Sequence, residues 1–176
     1  FTMAIDPVLI AAAISKQTRA IIPVHLYGHP ADMMSIMALS EKYNLVVIED
    51  CAEALGSQYQ GKHVGNFGDA ATFSFFGNKT ITTGEGGMVI TKNEEDAARI
   101  KTLGLHGMSK DAWKRFGDEG YKHYQVVECG YKYNMMDLQA AIGIHQLQRV
   151  ETNWIRRQEI WNRYNEALAD LPITLP

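Results

Sequence analysis

Two short apolar runs separated by one helical stretch constrain the fold of this chain more than any other feature. Residues Ala20 to Val24 form a continuous apolar run, and Leu45 to Ile48 form a second one. Between them, Ala31 to Tyr43 has apolar residues at the spacing of a helix. Buried parallel strands read as continuous apolar runs, and a helical crossover joins strands that run parallel, so the pattern predicts a βαβ unit. The expected fold class is α/β, with a mostly parallel mixed sheet covered by helices.

Capping residues and hydrophobic spacing predict the remaining elements. They are a helix from Asp6-Pro7 to about Ile14, strands at Ala70 to Phe75 and Met88 to Thr91, a helix capped by Asn93 that runs to about Leu103, a helix capped by Asp137 that runs to about Val150, and a last helix from about Asn153 to Ala169. From Gly104 to Glu128 neither period holds. This segment is expected to be a long irregular excursion.

Composition and charge exclude several classes of function. The chain has 176 residues, of which 46% are hydrophobic and 21% charged, close to the average of folded globular proteins. Its net charge is -3, and its 17 Lys and Arg residues are scattered along the sequence. It therefore lacks the basic patch that binds nucleic acids and anionic membranes. The longest apolar runs are far below the roughly 20 residues that span a bilayer. Neither nucleic acid nor a membrane is an expected partner.

The two cysteines, Cys51 and Cys129, favour a reducing compartment. They are far apart and stand in no CxxC or Cys/His spacing, so neither a disulfide framework nor a metal site is expected, and the cytoplasm is the expected location. The chain begins on Phe1 without an initiator Met or a basic leader, and it stops shortly after Leu171-Pro172. We therefore expect a piece of a longer polypeptide.

Polar residues follow the predicted strands at their carboxyl ends, where open α/β sheets bind ligands. Asp50 follows the apolar run that ends at Ile48, with Glu49 between them, Ser74 stands near the end of the third predicted strand, and Lys79 lies in the loop beyond it. Each residue alone has an ordinary explanation, as a loop-capping carboxylate, a strand hydroxyl and a solvated surface amine. The glycines at 84, 86 and 87 are not followed by Gly-Lys-Ser/Thr, and no GxGxxG opens a helix after the first strand, so nucleotide triphosphate and dinucleotide folds are disfavoured.

The combination of these three residues is more specific than its parts. Pyridoxal phosphate chemistry needs a carboxylate that keeps the pyridine nitrogen protonated, an amine that forms a Schiff base, and a hydroxyl for the phosphate. The order Asp50, Ser74 and Lys79 lets strand ends present all three groups to one cofactor. Pyridoxal 5'-phosphate is therefore the expected cofactor.

Four segments of the chain resemble those of a known family. They are Pro23-Val24-His25-Leu26-Tyr27-Gly28, Ile48 to Gly56, Phe73 to Lys79 with Gly84-Glu85-Gly86-Gly87, and Gly130-Tyr131-Lys132-Tyr133-Asn134 leading to Gln139-Ala140-Ala141. In this order, and over essentially the whole chain, they resemble the sugar aminotransferases of the DegT/DnrJ/EryC1/StrS family. The resemblance implies a fold-type I pyridoxal phosphate enzyme, active as a homodimer with shared active sites. It also implies that glutamate donates the amino group and that a keto group on a nucleotide-linked sugar accepts it.

Relative to that family, the chain corresponds to the middle of the enzyme. Residues 1–150 would form part of the large, cofactor-binding domain, whose N-terminal portion would precede Phe1. Residues 151–176 would begin the connection to the small C-terminal domain.

The resemblance also implies roles for individual residues. Lys79 resembles the Schiff-base lysine, Asp50 the partner of the pyridine nitrogen, and Ser74 a ligand of the cofactor phosphate. These assignments make Lys79 and Asp50 the expected catalytic residues.

Three further residues are implied to bind the cofactor. Glu53 stands where many relatives have Gln or His against the cofactor ring. A Glu at this position, together with the sequence of Phe75 to Lys79, resembles the corresponding segments of GDP-perosamine synthases. Lys132 and Asn134 lie in the segment that reaches the neighbouring subunit's cofactor phosphate in relatives. Their Gly-Tyr-Lys-Tyr-Asn context departs from the common Gly-x-Asn-x-Arg form and is closer to the 4-amino-arabinose enzymes, so the sugar itself stays open.

Two other functions compete with the aminotransferase. The sugar 3-dehydratase branch of the same family uses pyridoxamine phosphate but has His in place of the lysine, so Lys79 argues against it. A non-catalytic regulator that binds the cofactor or forms a dimer is the alternative from another class. His106, in the irregular excursion, could approach a sugar nucleotide or could be a turn residue.

Overall fold

The computed structural model describes residues 3–109 and 124–175. Within these ranges the helices are α1 (Pro7–Ala13), α2 (Met33–Tyr43), α3 (Glu94–Gly104), α4 (Asp137–Gln148) and α5 (Val150–Leu168). The strands are β1 (Ala20–Ile21), β2 (Val46–Asp50), β3 (Gln58–Tyr59), β4 (Lys62–His63), β5 (Ala70–Ser74) and β6 (Gly87–Thr91). A single 3₁₀ turn covers Leu26–Gly28.

The predicted βαβ unit is present, with β1 and β2 parallel and α2 as the crossover. Asp32 caps α2, because its Oδ1 accepts the Ser35 N–H at 3.3 Å. β1 is shorter than the apolar run predicts, since Pro23 has no backbone N–H to give to a strand ladder. Beyond it, the pairing continues as a bridge between Val24 and Asp50. Two backbone hydrogen bonds hold this bridge, from the Asp50 N–H to the Pro23 carbonyl and from the His25 N–H to the Asp50 carbonyl.

The main sheet has the strand order β1-β2-β5-β6. β2 and β5 run parallel with Asp50 opposite Thr72, and β5 and β6 run antiparallel with Ser74 opposite Gly87. The prediction of a mixed, mostly parallel sheet is confirmed. β2 extends past the predicted end at Ile48, so that the acidic residues after it belong to the strand.

Two small elements between the main strands are not predicted by the sequence. The hairpin β3–β4 turns through Gln60 and Gly61, whose φ angles are 49° and 78°. Positive φ at both central residues is the geometry of a tight hairpin turn, for which Gly61 alone is a weak signal. The 3₁₀ turn follows His25 directly and precedes α2. Both elements connect strands whose carboxyl ends form one edge of the sheet.

Most helix ends agree with the capping residues, with one correction. Asp6 accepts the Val8 N–H at 2.8 Å, and Asn93 caps α3. The prediction that Asp137 caps α4 is wrong, because Asp137 is the first helical residue. The carbonyl side chain of Gln139 instead reaches back to the Met136 N–H at 3.0 Å. Only Arg149 separates α4 from α5, which begins at Val150, earlier than the hydrophobic spacing predicts.

The predicted irregular excursion begins where α3 ends. Residues 105–109 and 124–128 are joined by an isolated bridge between Met108 and Val126. Residues 110–123 of the excursion lie outside the described residues.

Two clusters of buried apolar side chains support the sheet. One joins α1, α2, β1 and β2 and consists of Ile10, Ile21, Ala31, Met33, Ile36, Leu45 and Val47. The other consists of Cys51, Ala54, Val64 and Ala71. Neither α4 nor α5 has a buried residue. No helix in the described ranges is both long and apolar enough to cross a membrane.

Candidate active site

Asp50 is the last residue of β2 and lies half-buried at the carboxyl edge of the sheet. Its Oδ1 accepts the Ala52 N–H at 3.0 Å, which fixes the carboxylate over the turn that follows. Its Oδ2 has no hydrogen-bond partner among the described residues. Because side chains alternate along a strand, Asp50 faces away from its buried neighbour Glu49. One carboxylate oxygen at this edge is therefore available to a cationic group.

Ser74 is the last residue of β5 and shares a face of the sheet with Asp50. The parallel register places Thr72 opposite Asp50, and Ser74 is two residues further along the same strand. Its Oγ accepts the Phe76 N–H at 3.3 Å, and the hydroxyl hydrogen has no acceptor among the described residues. Gly87 pairs with Ser74, and a Cβ there would lie 2.7 Å from a backbone carbonyl of β5. Glycine is thus required for this pairing.

Lys79 lies in the loop between β5 and β6, and Phe75 closes that loop at its base. The Phe75 N–H donates to the Gly86 carbonyl, and the Phe75 carbonyl accepts the Thr83 N–H, both at 2.9 Å. Gly86 has a φ of 150°, and a Cβ there would lie 2.6 Å from the Thr83 hydroxyl. The Lys79 N–H donates to the Phe76 carbonyl at 3.0 Å in a tight turn. These contacts hold Lys79 at a defined place near the carboxyl edge.

The Lys79 side chain pairs with Glu53. Its Nζ lies 3.3 Å from Oε1 of Glu53, and the two side chains are 19% and 34% exposed. The other oxygen, Oε2, accepts the Tyr27 N–H at 2.8 Å. The hydrogen bond from the Tyr27 N–H lowers the pKa of Glu53 by more than desolvation raises it. The contact with Lys79 lowers this pKa further. The carboxylate is therefore ionised at neutral pH and attracts the lysine amine, a pairing that the sequence does not predict.

Tyr27 reaches Glu53 through an uncommon backbone conformation. Its φ and ψ are 53° and 27°, in the left-handed region that few non-glycine residues occupy. Its ring is exposed, so the backbone N–H is the part of Tyr27 that the site uses. Gly28 follows, and its carbonyl accepts the Ser57 hydroxyl at 2.8 Å. The 3₁₀ turn is thus docked against the loop that follows β2.

Lys132 and Asn134 lie beside the end of α3 and contact each other. Lys132 forms an isolated bridge with Leu105, and its Nζ donates to Asn134 Oδ1. Within the described residues, neither side chain forms a hydrogen bond or an ion pair with Asp50, Glu53, Ser74 or Lys79. His106 is exposed, has a φ of 56°, and donates its N–H to the Tyr131 carbonyl at 2.8 Å. The roles of Lys132, Asn134 and His106 stay predictions.

A buried polar pair that the sequence does not predict lies behind Asp50. His25 and Glu49 are fully buried, with 3.2 Å between Nε2 and Oε2. With Cys51 they form a group whose ligand atoms lie within 4.8 Å of one another. This group does not suit a metal ion, because backbone N–H groups already occupy both Glu49 oxygens. Burial, and then the charges of Glu49 and Asp50, raise the pKa of the Cys51 thiol to about 12, so the sulfur stays protonated.

The groups at the carboxyl edge fit pyridoxal phosphate. Lys79 offers a part-buried amine, Asp50 an oxygen without a protein partner, and Ser74 a hydroxyl hydrogen without an acceptor among the described residues. These are the nucleophile, the anion for the pyridine nitrogen and the hydrogen-bond donor to the phosphate that the cofactor requires.

Comparison with known proteins decides the family. The model of the DegT/DnrJ/EryC1/StrS aminotransferase family matches residues 1–176. The chain belongs to this family. It is 56% identical over 159 residues to the uncharacterized protein MJ1066 of Methanocaldococcus jannaschii, a match that covers 90% of the chain and 41% of that protein. It is 46% identical over 171 residues to the spore coat polysaccharide biosynthesis protein SpsC of Bacillus subtilis, covering 97% and 44%.

Solved structures agree with this membership of the DegT/DnrJ/EryC1/StrS family. PseC of Helicobacter pylori, an aminotransferase involved in the biosynthesis of pseudoaminic acid, superposes with a TM-score of 0.87 at 33% identity, over 96% of the chain and 43% of PseC. Spr1654 of Streptococcus pneumoniae in its PLP form gives 0.83 at 31% identity, over 95% and 45%. The predicted family, fold-type I fold and pyridoxal phosphate cofactor are confirmed. The chain spans less than half the length of these relatives.

Proposed function

We propose that the protein containing this chain transfers an amino group from L-glutamate to the keto carbon of a nucleotide-linked keto-deoxy sugar. GDP-4-keto-6-deoxymannose is the favoured substrate, and the amino sugar would enter a surface polysaccharide such as lipopolysaccharide. The observation that carries the proposal is the Lys79 amine, held 3.3 Å from Glu53 at the edge where β2 and β5 end. Family membership supports the reaction class, whereas the choice of sugar rests on Glu53 and the segment Phe75 to Lys79.

Each residue at the carboxyl edge has a distinct task in this proposal. The bound cofactor supplies a carbonyl that takes up the amino group and a ring that draws electrons from the substrate carbon. Lys79 would hold the cofactor through Nζ, and its freed amine would take up and return the proton at the substrate carbon. Asp50 Oδ2 would keep the pyridine nitrogen protonated, because a nearby anion favours the charged form of that nitrogen. The Ser74 hydroxyl would donate to the phosphate, and Glu53, which pairs with Lys79, would help to hold the cofactor.

We assign the remaining predicted residues to a homodimer with shared active sites. Lys132 and Asn134 would reach the cofactor phosphate of the partner subunit. The exposure of their segment supports this role, since Tyr131 and Tyr133 are 57% and 78% exposed and stack on each other at 5.1 Å. Sedimentation of the protein tests it, and a monomer that retains full activity would contradict the shared site.

The location and the domain division follow the same proposal. The cytoplasm is the proposed compartment, and it is supported by the unpaired state of Cys51 and Cys129. Residues 1–150 are assigned to the large cofactor-binding domain, and residues 151–176 to the beginning of the connection to a small domain.

A panel of substrates tests the function most directly. The complete natural polypeptide that contains this chain is incubated with glutamate and with GDP-, UDP- and dTDP-linked keto-sugars, and the amino-sugar product is measured. The proposal expects amino transfer, with the highest kcat/KM for the GDP-linked sugar. Activity confined to UDP-pentoses would overturn the choice of sugar. Loss of water from the sugar without amino transfer would favour the dehydratase instead.

The Asp50→Asn variant separates cofactor attachment from turnover. We expect it to keep pyridoxal phosphate covalently bound, because Lys79 is unchanged, but to lose most of its turnover. The neutral amide no longer stabilises the protonated ring nitrogen. Normal turnover in this variant would contradict the role of Asp50.

A further inference from the structure

Glu49 is a fully buried carboxylate whose two oxygens are both saturated with hydrogen bonds. Oε1 accepts the N–H groups of Phe67 and Gly68, each at 2.8 Å. Oε2 accepts the Gly65 N–H at 2.7 Å and Nε2 of His25 at 3.2 Å. Burial works to raise the pKa of Glu49, but these hydrogen bonds outweigh it and lower the pKa. Glu49 therefore remains an anion that ties residues 65–68 to the end of β2.

His25 completes this arrangement in a single tautomer. Its Nδ1 accepts the Ala31 N–H at 3.1 Å, so Nδ1 is unprotonated and Nε2 is the nitrogen that donates to Glu49. The ring thus links the start of the α2 connection to β2. Both ring nitrogens are used, and the residue is fully buried.

The His25–Glu49 pair is joined directly to the residues that we assign to the cofactor. The backbone N–H of His25 donates to the Asp50 carbonyl at 3.1 Å, and the Asp50 N–H donates to the Pro23 carbonyl at 2.9 Å. The 3₁₀ turn that aims Tyr27 at Glu53 begins at the residue after His25. Regular pairing between β1 and β2 is interrupted at Pro23, and the side-chain contact of His25 with Glu49 adds to the two backbone hydrogen bonds at this point.

We propose that Glu49 and His25 are positioning residues, which set the Asp50 carboxylate and the turn before Glu53 for cofactor binding. The proposal rests on the proposed function, since it concerns the binding of pyridoxal phosphate. Glu49 faces one side of β2 and Asp50 the other, so the pair fixes Asp50 from behind without touching the cofactor itself. Residues that orient metal ligands in this way typically change metal affinity by about 10- to 100-fold when replaced, and we expect an effect of similar size on the cofactor here.

The chain offers an acid-to-amide control for Glu49→Gln at Asp69, which is exposed. In that variant, the amide NH₂ must face at least one N–H donor, whichever way the amide is turned. Asp69→Asn makes the same chemical change at the other end of β2, where Asp69 Oδ2 accepts the Val47 N–H at 2.8 Å. Both variants are made in the complete polypeptide, and pyridoxal phosphate affinity and the visible circular dichroism of the bound cofactor are measured well below each unfolding midpoint.

We expect Glu49→Gln to weaken pyridoxal phosphate binding by at least about tenfold and to change the dichroic band, whereas Asp69→Asn stays within about threefold. His25→Gln, which keeps a donor and an acceptor, should bind the cofactor better than His25→Leu. Equal affinities of the Glu49→Gln and Asp69→Asn variants would overturn the proposal. If the wild-type protein itself does not bind pyridoxal phosphate, the proposed function fails instead.

Hydrogen exchange of the wild-type protein tests the same tie if the variants do not fold. Positioning is reciprocal, so cofactor binding should slow exchange at the amides of Gly65, Phe67 and Gly68, which lie on the opposite side of β2 from Asp50. Unchanged exchange at these three amides would show that Glu49 has a structural role alone.

Discussion

The carboxyl edge of the sheet and the α4–α5 arm (Asp137–Leu168) differ in which side chains they bury and which they expose. Behind the edge, His25 and Glu49 are fully buried and bonded to each other, and the site residues Asp50, Glu53, Ser74 and Lys79 are partly buried. On the arm, large apolar side chains face outward, with Leu138 78%, Trp154 57% and Tyr164 62% exposed. Contacts within residues 23–87 organise most of the edge, and Gln139 and Gln146 of α4 also hydrogen-bond the loop that carries Lys79. The arm presents the kind of surface that the proposed homodimer requires.

Replacing Lys79 tests the edge most severely. Lys79→Ala should reduce turnover by more than about 10³-fold, because none of the other residues assigned to the edge has an amine that can form a Schiff base with the cofactor carbonyl. Lys42→Ala, at an exposed lysine of α2, serves as the control and should keep wild-type turnover. Steady-state kinetics measure both. Normal turnover in Lys79→Ala would refute the assignment of the edge as the active site.

Truncation of one apolar side chain in each region sharpens the comparison. Met33 is fully buried in the first cluster, so Met33→Ala should lower the free energy of unfolding by about 2–5 kcal/mol. Leu138→Ala should change it by less than about 0.5 kcal/mol when the protein is dilute enough to be monomeric. Urea titrations measure both variants. An equal loss at that dilution would mean that the arm is already packed within one chain.

The glycine loop should respond to a single methyl group. Gly86→Ala puts a Cβ within 2.7 Å of both Thr83 Oγ1 and Met135 Cε at a φ of 150°, so we expect a loss of about 1–3 kcal/mol of unfolding free energy. Gly77→Ala is the matched control, since nothing lies within 4 Å of its added Cβ. Thermal unfolding compares the two. Equal midpoints would show that the loop holding Lys79 is more adaptable than its contacts indicate.

Acid should lower the free energy of unfolding because it protonates Glu49. Its pKa is lowered from the ordinary value of 4.5, so it stabilises the folded protein above that pH, and the contribution is lost as the pH falls through the lowered value. The free energy of unfolding of the wild-type protein should therefore fall more steeply below pH 4.5 than that of Glu49→Gln. Denaturant titrations over this range measure the two slopes, and parallel slopes would contradict an ionised Glu49.

Much of the fold could be predicted because local patterns determine it. The apolar runs gave β1, β2 and their parallel pairing, and Asp6 and Asn93 gave two helix starts. The hairpin β3–β4 could not be predicted, because its strands are two residues long and Gly61 is a weak turn signal.

The candidate site could be predicted in its parts but not in its connections. Strand-end position is a local property, and it indicated Asp50, Ser74 and Lys79. The pairing of Glu53 with Lys79 depends on residues 26 positions apart, and the left-handed conformation of Tyr27 has no sequence signal. Glu49 reads as a strand-end acid in the sequence, and its burial depends on His25 and on a loop that follows it by 16 to 19 residues.

Covalent capture of pyridoxal phosphate in the wild-type protein tests the central claim most directly. The complete polypeptide is saturated with the cofactor and reduced with borohydride, and its peptides are mapped by mass spectrometry. Among the chain's 10 lysines, we predict that the label is found on Lys79. A label on another lysine, such as Lys132, would contradict the account of the carboxyl edge.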